Sequence, residues 1–280
     1  MLAIVIDSTS GLTRSEAKEL GVTVVPTYYS VDGHANEERF ADECAGYEPQ
    51  LGSDAMLHTE PAFPDAYLDA FSEALAKGDD VLCITLSSRL SAGHRSAEVA
   101  RSMLLGTAEN AGRIEVVDSH MAGAGLEILA RRAREAADEG RGLAEVVAAV
   151  KELRGHVYSR FAVADMHMLR RSGRLSNTRR SVSSTLDRFP VFGLRHGTIE
   201  VETIARGTAG MTKAMLAGVP EDVGRLYVAH YGEPTKALYR LVSAIKRQLP
   251  AAELVVKDAG PVLTVNVGIG SVSLVWVDGE

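Results

Sequence analysis

Short apolar runs alternate with helical periodicity along most of the chain. Residues 2–6 (LAIVI) read as a first strand. Thr13 and Glu16 stand at capping-box spacing for a short helix that Gly21 closes. Residues 22–29 (VTVVPTYY) predict a second strand, and Pro26 within it predicts an edge position. Residues 30–57 are polar and lack a strong period, a long excursion for a compact domain. Pro64 opens a helix that Gly78 closes. A strand over 81–86, a polar loop (SSRLSAGH), a helix to about Leu105 and a strand over 113–117 follow. Two Ala-rich helices, 122–139 and 142–154, are parted by Gly140 and Gly142.

A second series begins near 155–160. It holds a strand at 161–165 (FAVAD), a basic helical stretch to about Asp187, a hairpin around Gly197 and a helix near 208–217. The strand RLYVAHY, the helix TKALYRLVSAIKRQL and the strands ELVVKD, VLTVNV and VSLVWV complete the chain. Strands alternating with helices predict α/β architecture. The 280 residues suit one large domain or two of moderate size, and the break predicts domains 1–157 and 158–280.

Composition narrows the class. With 46% hydrophobic and 24% charged residues, the chain is neither disordered nor fibrous, and two cysteines make no disulfide scaffold. A net charge of −7 argues against nucleic acid as the main partner, which would need a basic face. The start MLAIVIDSTSGL lacks the basic segment of a signal peptide. Apolar runs fall short of the roughly 20 residues that span a bilayer. Cys44 and Cys83 form no CxxC pair, so a reducing cytoplasm is expected. Aromatics are only 5%, with a single tryptophan, so the apolar residues are mostly small and aliphatic.

Four polar clusters follow apolar strands: Asp7-Ser-Thr-Ser10, Ser87-Ser-Arg-Leu-Ser91, Asp118-Ser119 and His230-Tyr-Gly-Glu233. Beyond the carboxyl ends of strands they could share a crevice, or simply cap the next helices. Phosphate-loop, GxGxxG, GxSxG, HExxH and paired Cys/His patterns are missing, so neither a nucleotide, a serine nucleophile nor a metal is indicated. Residues 154–180 carry seven Arg against one Asp, either a solvated face or a docking patch for an acidic partner. Within them Leu169-Arg-Arg-Ser-Gly-Arg-Leu175 reads as a turn presenting Arg outward. Three functions stay open: a lipid carrier, an enzyme using Ser91 as nucleophile or His58 as base, and a regulatory protein acting through 170–180.

Taken together and in order, Asp7-Ser-Thr-Ser, Ser87-Ser-Arg-Leu-Ser-Ala, Asp118-Ser119, Arg171-Ser-Gly-Arg-Leu175 and Gly260-Pro-Val…Gly-x-Gly270 resemble the DegV family of bacterial fatty-acid-binding proteins. The resemblance implies two α/β domains, with a lipid-binding tunnel in the N-terminal one and a C-terminal one closing over the head group. It implies a carrier without catalytic residues, metal or cofactor, whose bound long-chain fatty acid is phosphorylated on its carboxylate by a separate fatty acid kinase. Such a carrier is expected to be cytoplasmic and monomeric, with transient membrane contact.

Carried over by position, the carboxylate-binding serine falls on Ser91. The family's Thr-Ser-Gln-Pro becomes His58-Thr-Glu-Pro61, so a hydroxyl ligand is replaced by His58, with Thr59 beside it. An arginine near the domain junction matches Arg206, and Asn266 replaces a histidine ahead of Gly268. The remaining head-group shell would be Asp7, Ser8 and Thr9, then Ser88, Ala92 and Gly93, then Asp118, Ser119 and Gly268. The resemblance gives Arg174 to the kinase-facing surface, with Arg170 and Arg171. The departures at His58 and Asn266 imply a different ligand head or a different mode of transfer.

Overall fold

Residues 4–10 are buried without a break, so the first strand runs through the interior and delivers its polar end there. The computed structural model describes residues 1–44, 46–52, 55–105, 113–175 and 188–279. In the first half these form β1 (Leu2–Asp7), α1 (Arg14–Leu20), β2 (Val22–Val25), β3 (Thr27–Val31), β4 (His34–Glu38) and β5 (Leu57–Glu60). They continue with α2 (Pro64–Ala76), β6 (Asp80–Thr85), α3 (Gly93–Leu104), β7 (Ile114–Asp118), α4 (Ala124–Asp138) and α5 (Leu143–Arg154). The capping box at Thr13 and Glu16 is present as predicted, with Gly21 left-handed at the end of α1.

Four parallel strands make the first sheet, in the order β2-β1-β6-β7. Its strands alternate between two apolar layers. Val5, Val81 and Cys83 face Tyr67 and Phe71 of α2 and Ala97 and Ala100 of α3. Ile4, Ile6, Leu82 and Ile84 face the opposite side, in the cluster of Leu126 and Leu129 on α4 and Val146 and Val150 on α5.

Pro26 interrupts the predicted second strand rather than sitting inside it. β2 ends one residue before it, at the edge of the parallel sheet, and β3 begins one residue after it in another sheet. That sheet is small and antiparallel, ordered β4-β3-β5, and takes up part of the polar excursion.

The second half forms β8 (Val157–Ala162), α6 (Met166–Arg171), β9 (Arg188–Arg195), β10 (Thr198–Arg206), α7 (Gly207–Leu216) and β11 (Arg225–His230). It ends with α8 (Lys236–Gln248), β12 (Glu253–Asp258), α9 (Pro261–Val267) and β13 (Val272–Val277). Six strands order as β10-β9-β8-β13-β11-β12, antiparallel except for β11 and β12, which α8 connects as a parallel crossover.

Two expectations need correction here, and a third falls partly outside the described residues. VLTVNV is helical, not a strand: Pro261 sits in its first turn, every residue of α9 is buried, and Gly260 and Gly268 bound it. A segment buried all round has no periodicity by which to tell helix from strand. The strand expected at 161–165 begins at Val157 and stops at Ala162. Of the basic helical stretch, α6 is described, while 176–187 lie outside the described residues. The hairpin at Gly197 is present, and its turn carbonyl accepts a hydrogen bond from Ser87 Oγ (2.9 Å), tying the second half to the first.

Candidate functional site

A parallel sheet presents its loops together at the carboxyl ends of its strands. Here those loops, Thr9–Gly11 after β1, Leu86–Ser91 after β6 and 122–124 after β7, form one wall of a mostly apolar cavity. The second sheet supplies the facing wall. Ser159 and Phe161 of β8 and Ser273 and Val275 of β13 line it at alternate positions, as strand geometry requires, and Tyr227, Val228 and Ala229 of β11 join them. From α9 come Val262, Leu263, Asn266 and Val267. The cavity is therefore shared by both halves, which corrects the expectation of a tunnel inside the N-terminal domain. The reason is topological, because the open face of the parallel sheet's loops is roofed by β8, β11 and β13.

Polar groups gather where the loop after β6, β5 and the last turn of α9 meet. Asn266 Nδ2 donates to Thr59 Oγ1 (3.2 Å) and to the Val262 carbonyl (2.7 Å). Arg174 donates from Nε to the Leu90 carbonyl (2.8 Å), from Nη1 to the Ser172 carbonyl (3.1 Å) and to Asn266 Oδ1, and from Nη2 toward Thr59 Oγ1 (3.5 Å). Ser91 Oγ accepts from the Gly93 amide (3.3 Å) and lines the same space. Burial lowers the Arg174 pKa, but a guanidinium stays charged at any physiological pH. The result is one cation, two hydroxyls and an amide at the end of an apolar space, a donor set suited to an anionic head group.

The polar excursion packs over the start of α9. Tyr47 Oη donates to Asp258 Oδ1 (2.8 Å), lies 3.0 Å from Thr264 Oγ1 and accepts from the Gly232 amide (3.2 Å). Glu38, at the end of β4, accepts from the Val262 amide (2.7 Å), filling one of the donor positions that a helix start leaves open. Burial raises the Glu38 pKa to about 8, and the nearby Asp7 and Asp258 add to the rise. Gly260 has φ +80°, and a Cβ there would come within 3.1–3.2 Å of the Glu38 carboxyl, so glycine suits both the backbone and the contact. On the other flank, Lys257 lines the cavity while its Nζ bonds Glu127 (2.7 Å) and Glu16 (2.9 Å). Glu127 also takes two bonds from Arg131 (2.9 and 2.8 Å).

Of the sequence-predicted residues, Ser91, Thr59, Asn266 and Thr9 line the cavity. His58 does not; it is exposed on β5 and borders an outer depression that Thr59, Arg174 and Asn266 also line, on the far side of the polar cluster from the cavity. Thr59, next to it, brings a hydroxyl to the cavity wall. Arg206 is also away from it. It is exposed at the end of β10, an edge strand of the second sheet, and is absent from the cavity wall.

The expected head-group shell mostly braces loops. Asp7 is buried and accepts from the Leu86 amide (2.6 Å), the Thr9 amide (3.2 Å) and Thr9 Oγ1, locking the β1 and β6 loops together. Ser8 bonds Thr27 (2.6 Å) and Ser119 bonds Met121. Asp118 accepts from the amides of Ser88 (3.2 Å) and His120 (2.9 Å). Ser88 and Ala92 are exposed, Gly93 starts α3, and Gly268 closes α9 at φ +104°. Hydroxyls and carboxylates at strand ends here satisfy backbone amides, the capping role left open by the sequence.

The arginines divide as well. Arg170 and Arg171 are exposed, Arg171 donating to the Ala55 carbonyl (3.3 Å), whereas Arg174 turns inward rather than outward. Sequence reasoning missed Lys257, Glu38 and Tyr47, while Ser10 stood in the first polar cluster without a role of its own. A charged residue inside the apolar strand ELVVKD was the available signal for Lys257. Among the described residues no group of His, Cys, Asp or Glu is placed to hold a metal, and no helix is long and apolar enough to cross a membrane.

Comparison with known proteins bears on the whole chain. A DegV domain-containing protein of Deinococcus radiodurans is 29% identical over 285 residues, spanning 98% of this chain and 97% of its own. A DegV family protein of Thermus thermophilus, solved for its fatty acid binding, matches with a TM-score of 0.86 at 28% identity over 99% of both chains. The fold is shared by the Fak B3 protein of the Streptococcus pneumoniae fatty acid kinase, loaded with linoleic acid, with a TM-score of 0.81 at 22% identity over 99% of both chains. The family model for DegV, described as a family of uncharacterised proteins, matches residues 1–279. That match runs through both sheets and the cavity between them, and the chain belongs to the DegV family.

Proposed function

We propose that this protein binds a long-chain fatty acid and presents its carboxylate to a partner fatty acid kinase, catalysing nothing itself. The observation that carries the reading is an apolar cavity ending in Ser91, Thr59, Asn266 and the Arg174 guanidinium. A tail of about 16 carbons gains at most on the order of 13 kcal/mol, at roughly 0.8 kcal/mol per methylene, before association costs. The tail therefore supplies the affinity and the polar end sets the orientation. Fatty acid binding by the Thermus thermophilus relative and the Fak B3 likeness support the assignment.

In this reading residues 1–157 and 158–280 are two domains that share the ligand. Arg170 and Arg171, exposed beside the outer depression, form the docking patch for the kinase, and the dependence on ATP places the protein in the cytoplasm. Ser91 has no histidine within hydrogen-bond distance among the described residues; His94 Nδ1 instead lies 3.1 Å from Thr85 Oγ1. The experiment is native mass spectrometry of the purified protein incubated with oleate or palmitate, then ATP-dependent acyl phosphate formation with a fatty acid kinase. A stoichiometric lipid adduct and product formation that charge reversal at Arg171 lowers are expected. Ligand-free protein throughout would overturn the carrier reading, and unchanged product formation after charge reversal would overturn the docking patch.

A further inference from the structure

Of the polar groups on the cavity wall outside the carboxylate site, one is a fully buried hydroxyl with no hydrogen-bond partner among the described residues. Ser10 lines the cavity with 1% of its surface exposed, and its Oγ has no hydrogen-bond partner. Its neighbours on the same loop are engaged: Ser8 Oγ bonds Thr27, and Thr9 Oγ1 bonds Asp7. A buried hydroxyl is normally paired, and one left open against a ligand cavity points to a group that arrives with the ligand.

The position is separate from the head-group cluster. Gly11, next in the chain, packs against the Asp258 carbonyl, at the stretch leading into α9. Asn266 stands at the other end of α9, four residues after Val262, or about 6 Å along the axis. Across the cavity two more hydroxyls face the same space, Ser159 on β8 and Ser273 on β13, the latter bonded to Tyr231. The walls between are apolar, so a plain hydrocarbon tail would leave Ser10 unpaired.

We infer that the favoured cargo carries an oxygen on its chain, a hydroxyl or keto group held by Ser10, so that the ligand class is an oxygenated long-chain fatty acid. The inference rests on the fatty-acid reading. It adds a specificity contact without changing the carboxylate site. A site built to hydrogen-bond a ligand oxygen discriminates more sharply than a methylene pocket does, because the analogue lacking it leaves a buried group unpaired.

The test is competition between stearic acid and a series of hydroxystearic acids differing in hydroxyl position, with bound species read by native mass spectrometry. The full chain and its Ser10→Ala variant are compared. For at least one positional isomer the unaltered protein is expected to prefer the hydroxy acid fivefold or more. Ser10→Ala should abolish that preference and bind stearate as well as before. Stearate bound with no isomer preferred overturns this inference and leaves the fatty-acid reading standing. A preference that survives Ser10→Ala overturns the role of Ser10. Failure to bind any of the acids overturns the fatty-acid reading itself.

Discussion

Glu38→Gln is the substitution whose effect can be worked furthest from the structure. Glu38 is 3% exposed, and burial, with Asp7 and Asp258 nearby, holds its pKa at about 8 instead of 4.5. Below pH 4.5 both the folded and the unfolded chain hold the proton, so the carboxyl contributes no pH dependence there. Between 4.5 and about 8 the unfolded chain releases the proton and the folded one keeps it, so stability falls as pH rises. The slope is about 1.4 kcal/mol per pH unit, and the loss is complete above about 8, where it reaches about 5 kcal/mol. That is a large part of the 5–15 kcal/mol typical of a folded domain.

Glutamine keeps an oxygen for the Val262 amide and cannot ionise. The variant should therefore match the natural protein near pH 4.5 and exceed it progressively toward pH 8. Urea unfolding at pH 5, 6, 7 and 8 measures this, and subtracting the two proteins cancels groups that titrate alike in both. A difference that stays flat across the series, or that favours the natural protein at pH 8, would refute the reasoning.

Other outcomes follow from the same geometry. Arg174→Ala removes a charged donor facing the ligand head and should weaken fatty acid binding by roughly 10- to 150-fold, the equivalent of about 1.5–3 kcal/mol. Displacement assays on the acid and the matching alcohol check it, and an equal loss for the alcohol would show that charge is not involved. Ala229→Phe places a ring in the cavity wall and should shorten the longest chain retained, read from the masses of bound acids. Lys257→Met leaves Glu127, 1% exposed, with Arg131 but without its lysine, and should cost about 3–5 kcal/mol in urea unfolding. Adding Glu127→Gln to that variant should restore much of the loss.

The sequence showed most of the elements because their signals are local. A capping box at Thr13, Pro64 opening α2 and the apolar run VSLVWV all survive folding unchanged. Where it misled, the deciding fact was tertiary. α9 looks like a strand because its β-branched residues are buried on every side, so the helical period never shows. Pro26 reads as an edge residue because composition cannot say that the chain changes sheets there. The same limit governed the site. Ser91 and Thr59 came from the resemblance to the DegV family, yet whether Arg174 points out or in depends on Leu90, Asn266 and Thr59, brought together only by folding. Glu38 and Tyr47, from the polar excursion, carried no motif at all.

The apolar cluster that joins the two sheets is interrupted by the cavity: Phe161, Leu194, Ile199, Tyr227 and Val275 belong to both. A hydrocarbon chain lying there would pack between the two sheets as buried side chains do elsewhere in the cluster. Loading should then make the two halves more rigid against one another and harder to unfold, by an amount that grows with ligand concentration. Unloading carries the reverse cost, so the tail must pass directly to another apolar host, whereas a reaction at the carboxylate can proceed with the tail still in place.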